Sequence, residues 1–84
     1  MSPLWASGLP LAMICEQERP AHFIWDGRRH AIERISRHWR VHLDWWTASE
    51  LWRDYWELAT DTGLLCVLYE DLIGHTWHLE RVYE

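Results

Sequence analysis

Five arginines crowd one stretch of this chain, Arg28, Arg29, Arg34, Arg37 and Arg40, with His30, His38 and His42 set among them. Guanidinium groups at that density bind phosphates or carboxylates through paired hydrogen bonds. Trp45 and Trp46 follow directly. Adjacent strand residues point to opposite faces, so one of the two is expected outside the core, and an exposed tryptophan beside charges is a frequent interface hot spot. Arg28, Arg29, Arg34, Arg37, His38, Arg40, His42, Trp45 and Trp46 therefore form the candidate contact set. Two uses fit it: docking a protein partner, or holding a single-stranded nucleic acid with arginines on phosphates and aromatics under bases.

The charge distribution weighs on that choice. Residues 28–42 sum to +4, whereas residues 1–27 sum to −2 and residues 43–84 to −7, giving −5 for the 84-residue chain. Most dedicated nucleic-acid binders carry a positive domain, which favours a protein partner and keeps nucleic acid as the alternative. The arginines can also pair internally with the nine acids of the C-terminal half.

Other chemistry is poorly served. His75 and His78 have an H-x-x-H spacing, but strand or turn positions three apart diverge, and no cysteine pair lies at ligand spacing, so no metal site is expected. Asp44, Asp54, Asp61, Glu70 and Asp71 fall mainly at turns or strand ends, Ser36 and Ser49 lack a nucleophile-elbow context, and four glycines make no phosphate-cradling loop. The chain reads as a non-enzyme without cofactor. Cys15 and Cys66 each sit in an apolar run and are expected as buried free thiols, consistent with a reducing cytoplasm. Residues 4–15 are broken by Gly8 and Pro10 and lack a cationic start, so neither a secretory leader nor a membrane span is expected.

The elements that must position the contact set read as strands. Asp26-Gly27 stands between Phe23-Ile24-Trp25 and His30-Ala31-Ile32, a strong hairpin signal, and Asp61-Thr62-Gly63 and Leu72–His75 mark two further turns. From Ile35 to Leu43 the odd positions are mostly apolar and the even ones polar and basic, so Trp39, Val41 and Leu43 are expected inward and His38, Arg40 and His42 outward. Ile32 is out of phase with Ile35, which calls for a bulge near Glu33-Arg34. Trp56 and Leu58 are read as inward with Tyr55 and Glu57 outward, and Trp77 and Leu79 as inward in the last strand. Thr47-Ala48-Ser49-Glu50 matches a capping box, compatible with a short helical turn at 47–52. The expected fold is all-β: one antiparallel meander of five to six strands, at 11–16, 21–26, 28–43, 53–60, 64–70 and 76–83, curled into a barrel or strongly bent sheet. Residues 11–84 form this single domain, and residues 1–10 are a segment that need not be ordered. Eight tryptophans at roughly 200 Å² each supply the core that so small a domain needs.

Pro20-x-x-Phe23-x-Trp25-x-Gly27-Arg28-Arg29, then Trp39-Arg40-Val41, Trp45-Trp46, Arg53-Asp54-Tyr55-Trp56 and Trp77-x-Leu79-x-x-Val82-Tyr83 carry a family likeness. Over residues 20–84 the chain resembles a small bacterial domain family of unknown function. Related segments form the C-terminal part of ImuB-type proteins, the catalytically degenerate, Y-family-polymerase-like subunits of an error-prone repair system. The resemblance implies an all-β domain, a strand over 53–60, and DNA damage tolerance as the setting.

Overall fold

The computed structural model describes the backbone of residues 4–83 and the side chains of residues 8–83. Six strands follow one another: β1 (Leu4–Glu16), β2 (Arg19–Trp25), β3 (Arg28–Leu43), β4 (Leu51–Thr60), β5 (Leu65–Asp71) and β6 (Thr76–Tyr83). Each pairs antiparallel with the next, and β1 pairs with β6, which closes a small barrel. The expected meander is thus present, with β1 beginning at Leu4 rather than at residue 11.

The turns at Asp26-Gly27 and Asp61–Gly63 lie where the sequence placed them. Asp26 and Gly27 both adopt the left-handed region (φ 55° and 70°), which Asp tolerates and Gly enters freely. The capping-box segment does not form a helical turn. Instead residues 44–50 make the β3–β4 connection, in which Thr47 Oγ1 donates to the Asp44 carbonyl (3.1 Å) and accepts from the Ser49 N–H (3.1 Å). A threonine hydroxyl serves a tight turn as readily as a helix start, and here the strands on either side decide which.

β1 and β3 belong to both walls of the barrel. β3 pairs with β2 from Arg28 to Ala31 and with β4 from Ile32 to Leu43. The changeover is made by register shifts between Ile32 and Arg34, as anticipated, and between Ile35 and Arg37, which was not. The second shift reverses the side-chain phase, as any one-residue slip in a strand must. Ile35 faces Leu58 in the interior, but beyond it His38 stands opposite Trp56, and Trp39 opposite Tyr55. The expected faces of β3 are therefore exchanged after Ser36: Trp39 and Val41 lie on the outer surface and His38 and Arg40 on the side of the core.

The interior is filled by Phe23, Trp56, Leu58, Cys66, Leu68, Leu79 and Val82, with Trp77 among the side chains packed against them. Each fully buried Leu or Phe contributes about 1.5–3 kcal/mol. A second cluster, Tyr55, Val67 and Tyr69 with Trp39, Val41 and Tyr83, lies outside the barrel wall. Cys66 is buried and free, as expected; Cys15, also expected buried, is exposed, paired with Pro20 just past the register shift between Ile14 and Cys15.

Candidate functional site

The β3–β4 ribbon is longer than the wall it belongs to. Its last pairs, His42 with Trp52 and Leu43 with Leu51, lie beyond Arg53–Asp71, where β5 ends. At its tip Asp44 takes a left-handed conformation (φ 51°) and releases Trp45 and Trp46 from strand geometry. Both rings are consequently outside, at 66% and 68% exposure, packed edge to face with centroids 5.5 Å apart. Sequence alternation anticipated only one outward tryptophan, because it treated the pair as strand residues. Leu43, expected inward, is 54% exposed and extends the same apolar tip. The β5–β6 turn flanks the ribbon, with the Leu72 N–H donating to the Trp52 carbonyl (2.9 Å), and carries the exposed Ile73 at the same end of the barrel.

Behind the tip, the core-side surface of the ribbon is a ladder of cross-strand pairs. His38 stacks on Trp56 (3.5 Å between centroids, 10° between planes) and His42 on Trp52 (4.9 Å, 18°). Between them Arg40 reaches the buried Asp54 through Nε and Nη2, both at 3.3 Å, and His38 Nε2 lies 3.0 Å from the same carboxylate. His42 Nε2 sits 2.6 Å from Glu50. Burial alone would raise the Asp54 pKa, but the hydrogen bonds from Arg40 and His38 outweigh it and hold the carboxyl below its ordinary value. Its cross-strand neighbour Glu70 is pushed the other way, by burial and by the charge of Asp54. The ladder is self-satisfied, apart from the buried Trp56 Nε1, which has no partner.

The outer surface of the same ribbon bears a second ladder. Arg37 lies over Trp39 (4.6 Å), Trp39 stacks on Tyr55 (5.3 Å), Tyr55 meets Tyr69 (5.3 Å), and Tyr69 stacks on His78 (4.9 Å). Arg53 lies over the Tyr69 ring at 4.2 Å and donates to the Tyr55 hydroxyl at 3.2 Å. Gly8 allows β1 to close on this stack. A β-carbon there would stand 2.6 Å from Tyr69 Oη and 2.7 Å from His78 Cβ, at a φ of +72° that side chains rarely adopt.

The nine predicted contact residues therefore do not form one surface. Arg28 and Arg29 are exposed at the far end of the barrel, beside the Asp26-Gly27 turn. Arg34 lines an open cleft of about 520 Å³ where β2 and β3 diverge, opposite Arg19, Pro20 and His22. Arg37 covers the outer aromatic ladder, while His38, Arg40 and His42 share the core-side surface and are held by acids. Trp45 and Trp46 stand beyond them all. Sequence reasoning left out Leu43, Ile73, Asp54 and Glu50. The opposition of Arg40 to Asp54 and of His42 to Trp52 follows only from the register, which the second bulge resets.

Reactive groups are muted. Burial pushes the Cys66 thiol up to about 12, and the exposed Cys15 is also raised, by partial burial and the nearby Glu70. Ser36 Oγ donates to the Glu57 carbonyl (3.1 Å). Among the described residues no group of three or more His, Cys, Asp or Glu side chains converges as a metal site, and no helix is long and apolar enough to cross a membrane. What this geometry offers is surface: a projecting apolar tip on a polar-backed ribbon.

The chain belongs to a family of domains of unknown function, DUF6504, whose model matches residues 9–84. No curated protein and no solved structure matches it.

Proposed function

We propose that this DUF6504 member is a non-catalytic protein-interaction module whose contact surface is the tip of the β3–β4 hairpin. The observation that carries the reading is the joint exposure of Trp45 and Trp46, with Leu43 beside them, whereas Phe23, Tyr55, Trp56 and Tyr69 are buried. Displaying two indoles to water forgoes burial worth several kcal/mol, which a partner surface would recover. The flanking charges, Asp44 and the Glu50–His42 pair, suit a polar rim around an apolar anchor.

The setting we assign is the cytoplasm of a bacterium, as an accessory to error-prone DNA repair. Support for this comes from the resemblance of residues 20–84 to the C-terminal segment of ImuB-type proteins. Nucleic-acid binding through the arginines is disfavoured, because Arg40, His38 and His42 are engaged with acids and Arg28 and Arg29 lie at the opposite end.

The test is a paired one. A Trp45→Ser/Trp46→Ser double variant is expected to lose capture of a polymerase-like repair subunit while its melting temperature stays within about 3 °C of the parent. Retained capture, or a large drop in melting temperature, would overturn the reading.

A further inference from the structure

We infer that the C-terminal half of β3 is an open β-edge that accepts an extended, acidic segment of the partner protein as a seventh strand. The inference deepens the proposed protein-binding function and rests on it. Its first support is backbone direction. In an antiparallel ladder successive residues turn their N–H and C=O alternately to one neighbour and the other. Thr60 donates its N–H to Leu64, and the Trp52 carbonyl accepts from Leu72, so the even-numbered residues of β4 face β5. The odd-numbered ones, Leu51 to Glu57, then face β3, where they oppose Leu43, Val41, Trp39 and Arg37. His38, Arg40 and His42 must therefore turn their backbone groups the other way.

Nothing among the described residues pairs with that side. β2 accompanies β3 only from Arg28 to Ala31, and beyond this point the two strands separate around the cleft that Arg34 and Ile35 line. Residues 38, 40 and 42 are exposed, and the edge from His38 to His42 runs for about 13 Å at about 3.3 Å per residue. An unpaired edge of this kind is a template for strand addition, in which main-chain hydrogen bonds supply affinity and neighbouring side chains supply specificity.

Charge selects the occupant. Arg34 and Arg37, which form no ion pair among the described residues, lie at the start of the edge, and Arg40, though bound to Asp54, stands half-exposed beyond them, so two copies meeting edge to edge would set like charges against each other. Glutamate or aspartate on an incoming strand meets the opposite situation. The same edge leads at its end to Trp45 and Trp46, which places the apolar anchor where the added strand would begin or finish.

The experiment uses the whole chain and a capped peptide alternating Glu with Val, followed by amide hydrogen exchange and backbone NMR. Addition of the peptide is expected to slow exchange at His38, Arg40 and His42 at least tenfold while Trp39 and Val41, already in the β3–β4 ladder, change little. A peptide alternating Lys with Val should not do this. His42→Pro, which removes an edge-facing N–H without touching the ladder, should weaken binding at least tenfold, whereas His42→Ala should keep it. Unchanged exchange at those three amides, equal protection by the lysine peptide, or perturbation by oligothymidylate alone would overturn the inference. Loss of partner capture by the Trp45/Trp46 variant alongside unchanged edge amides would sink the edge and leave the hairpin-tip reading standing.

Discussion

The two ends of this barrel are closed in different ways. At the end holding the Asp26-Gly27 and Asp61–Gly63 turns, polar groups lock loop to strand. Ala31 exchanges two bonds with Asp61, His30 Nδ1 lies 2.6 Å from Thr62 Oγ1, and Thr62 in turn meets Thr60 at 2.8 Å. Just inside, His30 stacks on the fully buried Phe23. At the other end β2 and β3 part, the β3–β4 ribbon overshoots the wall, and its tip turns three large apolar side chains to water. A domain of this size has little stability to spare, so an end left open and apolar is the end most readily explained by use.

The largest effect expected from breaking this contrast is at the sealed end. Phe23→Ala should cost about 3–5 kcal/mol and leave the chain unfolded or molten by near-ultraviolet circular dichroism, because the ring is wholly enclosed. Gly8→Ala should come next, at about 1–3 kcal/mol in denaturant unfolding, since the new methyl would collide with Tyr69 and His78. Asp54→Asn should cost about 1 kcal/mol, a figure kept low because His38 and Arg40 stand half in solvent.

Acid titration separates the two carboxylates beneath the ribbon. Asp54 has a depressed folded pKa, so its contribution is present above its unfolded value near 3.8 and fades as pH falls through the folded one. Melting temperature below about pH 4 should therefore drop less steeply in Asp54→Asn than in the parent. Glu70 has a raised folded pKa, so its contribution is present below its unfolded value near 4.5 and is lost as pH rises through the folded one. Glu70→Gln should accordingly raise the melting temperature at neutral pH by a degree or two and change nothing in acid. Smallest of all, Trp45→Ser/Trp46→Ser should leave unfolding free energy within about 0.5 kcal/mol of the parent.

Much of the sealed end was legible in the sequence and much of the open end was not, and the reason is physical. Asp-Gly and Asp-Thr-Gly prescribe backbone conformations, so they name their turns without help from the rest of the fold. The inward phase of Trp56, Leu58 and Leu79 follows from alternation with polar neighbours. At the open end alternation misleads. Between Ile35 and Arg37 the extra residue is Ser36, polar and followed by the polar Arg37 and His38, so a slip there is not marked in the pattern while it exchanges every face after it. Tryptophans then occur on both surfaces of the ribbon, Trp39 without and Trp56 within, and cannot show which is which. Thr47–Glu50 spells a helix start and builds a turn, because residues 44–50 have strands to join on either side. The arginines cluster in sequence but are spread by β3 along the length of the barrel, as a single extended strand must spread them.

A photoreactive residue placed at one end or the other decides the matter most directly. Substituted for Trp46 in living cells, it should yield a discrete crosslinked product with another protein, while the same residue at Leu65, exposed at the sealed end, should yield none. Crosslinking from Leu65 with silence at Trp46 would place the contact surface at the wrong end and contradict the account.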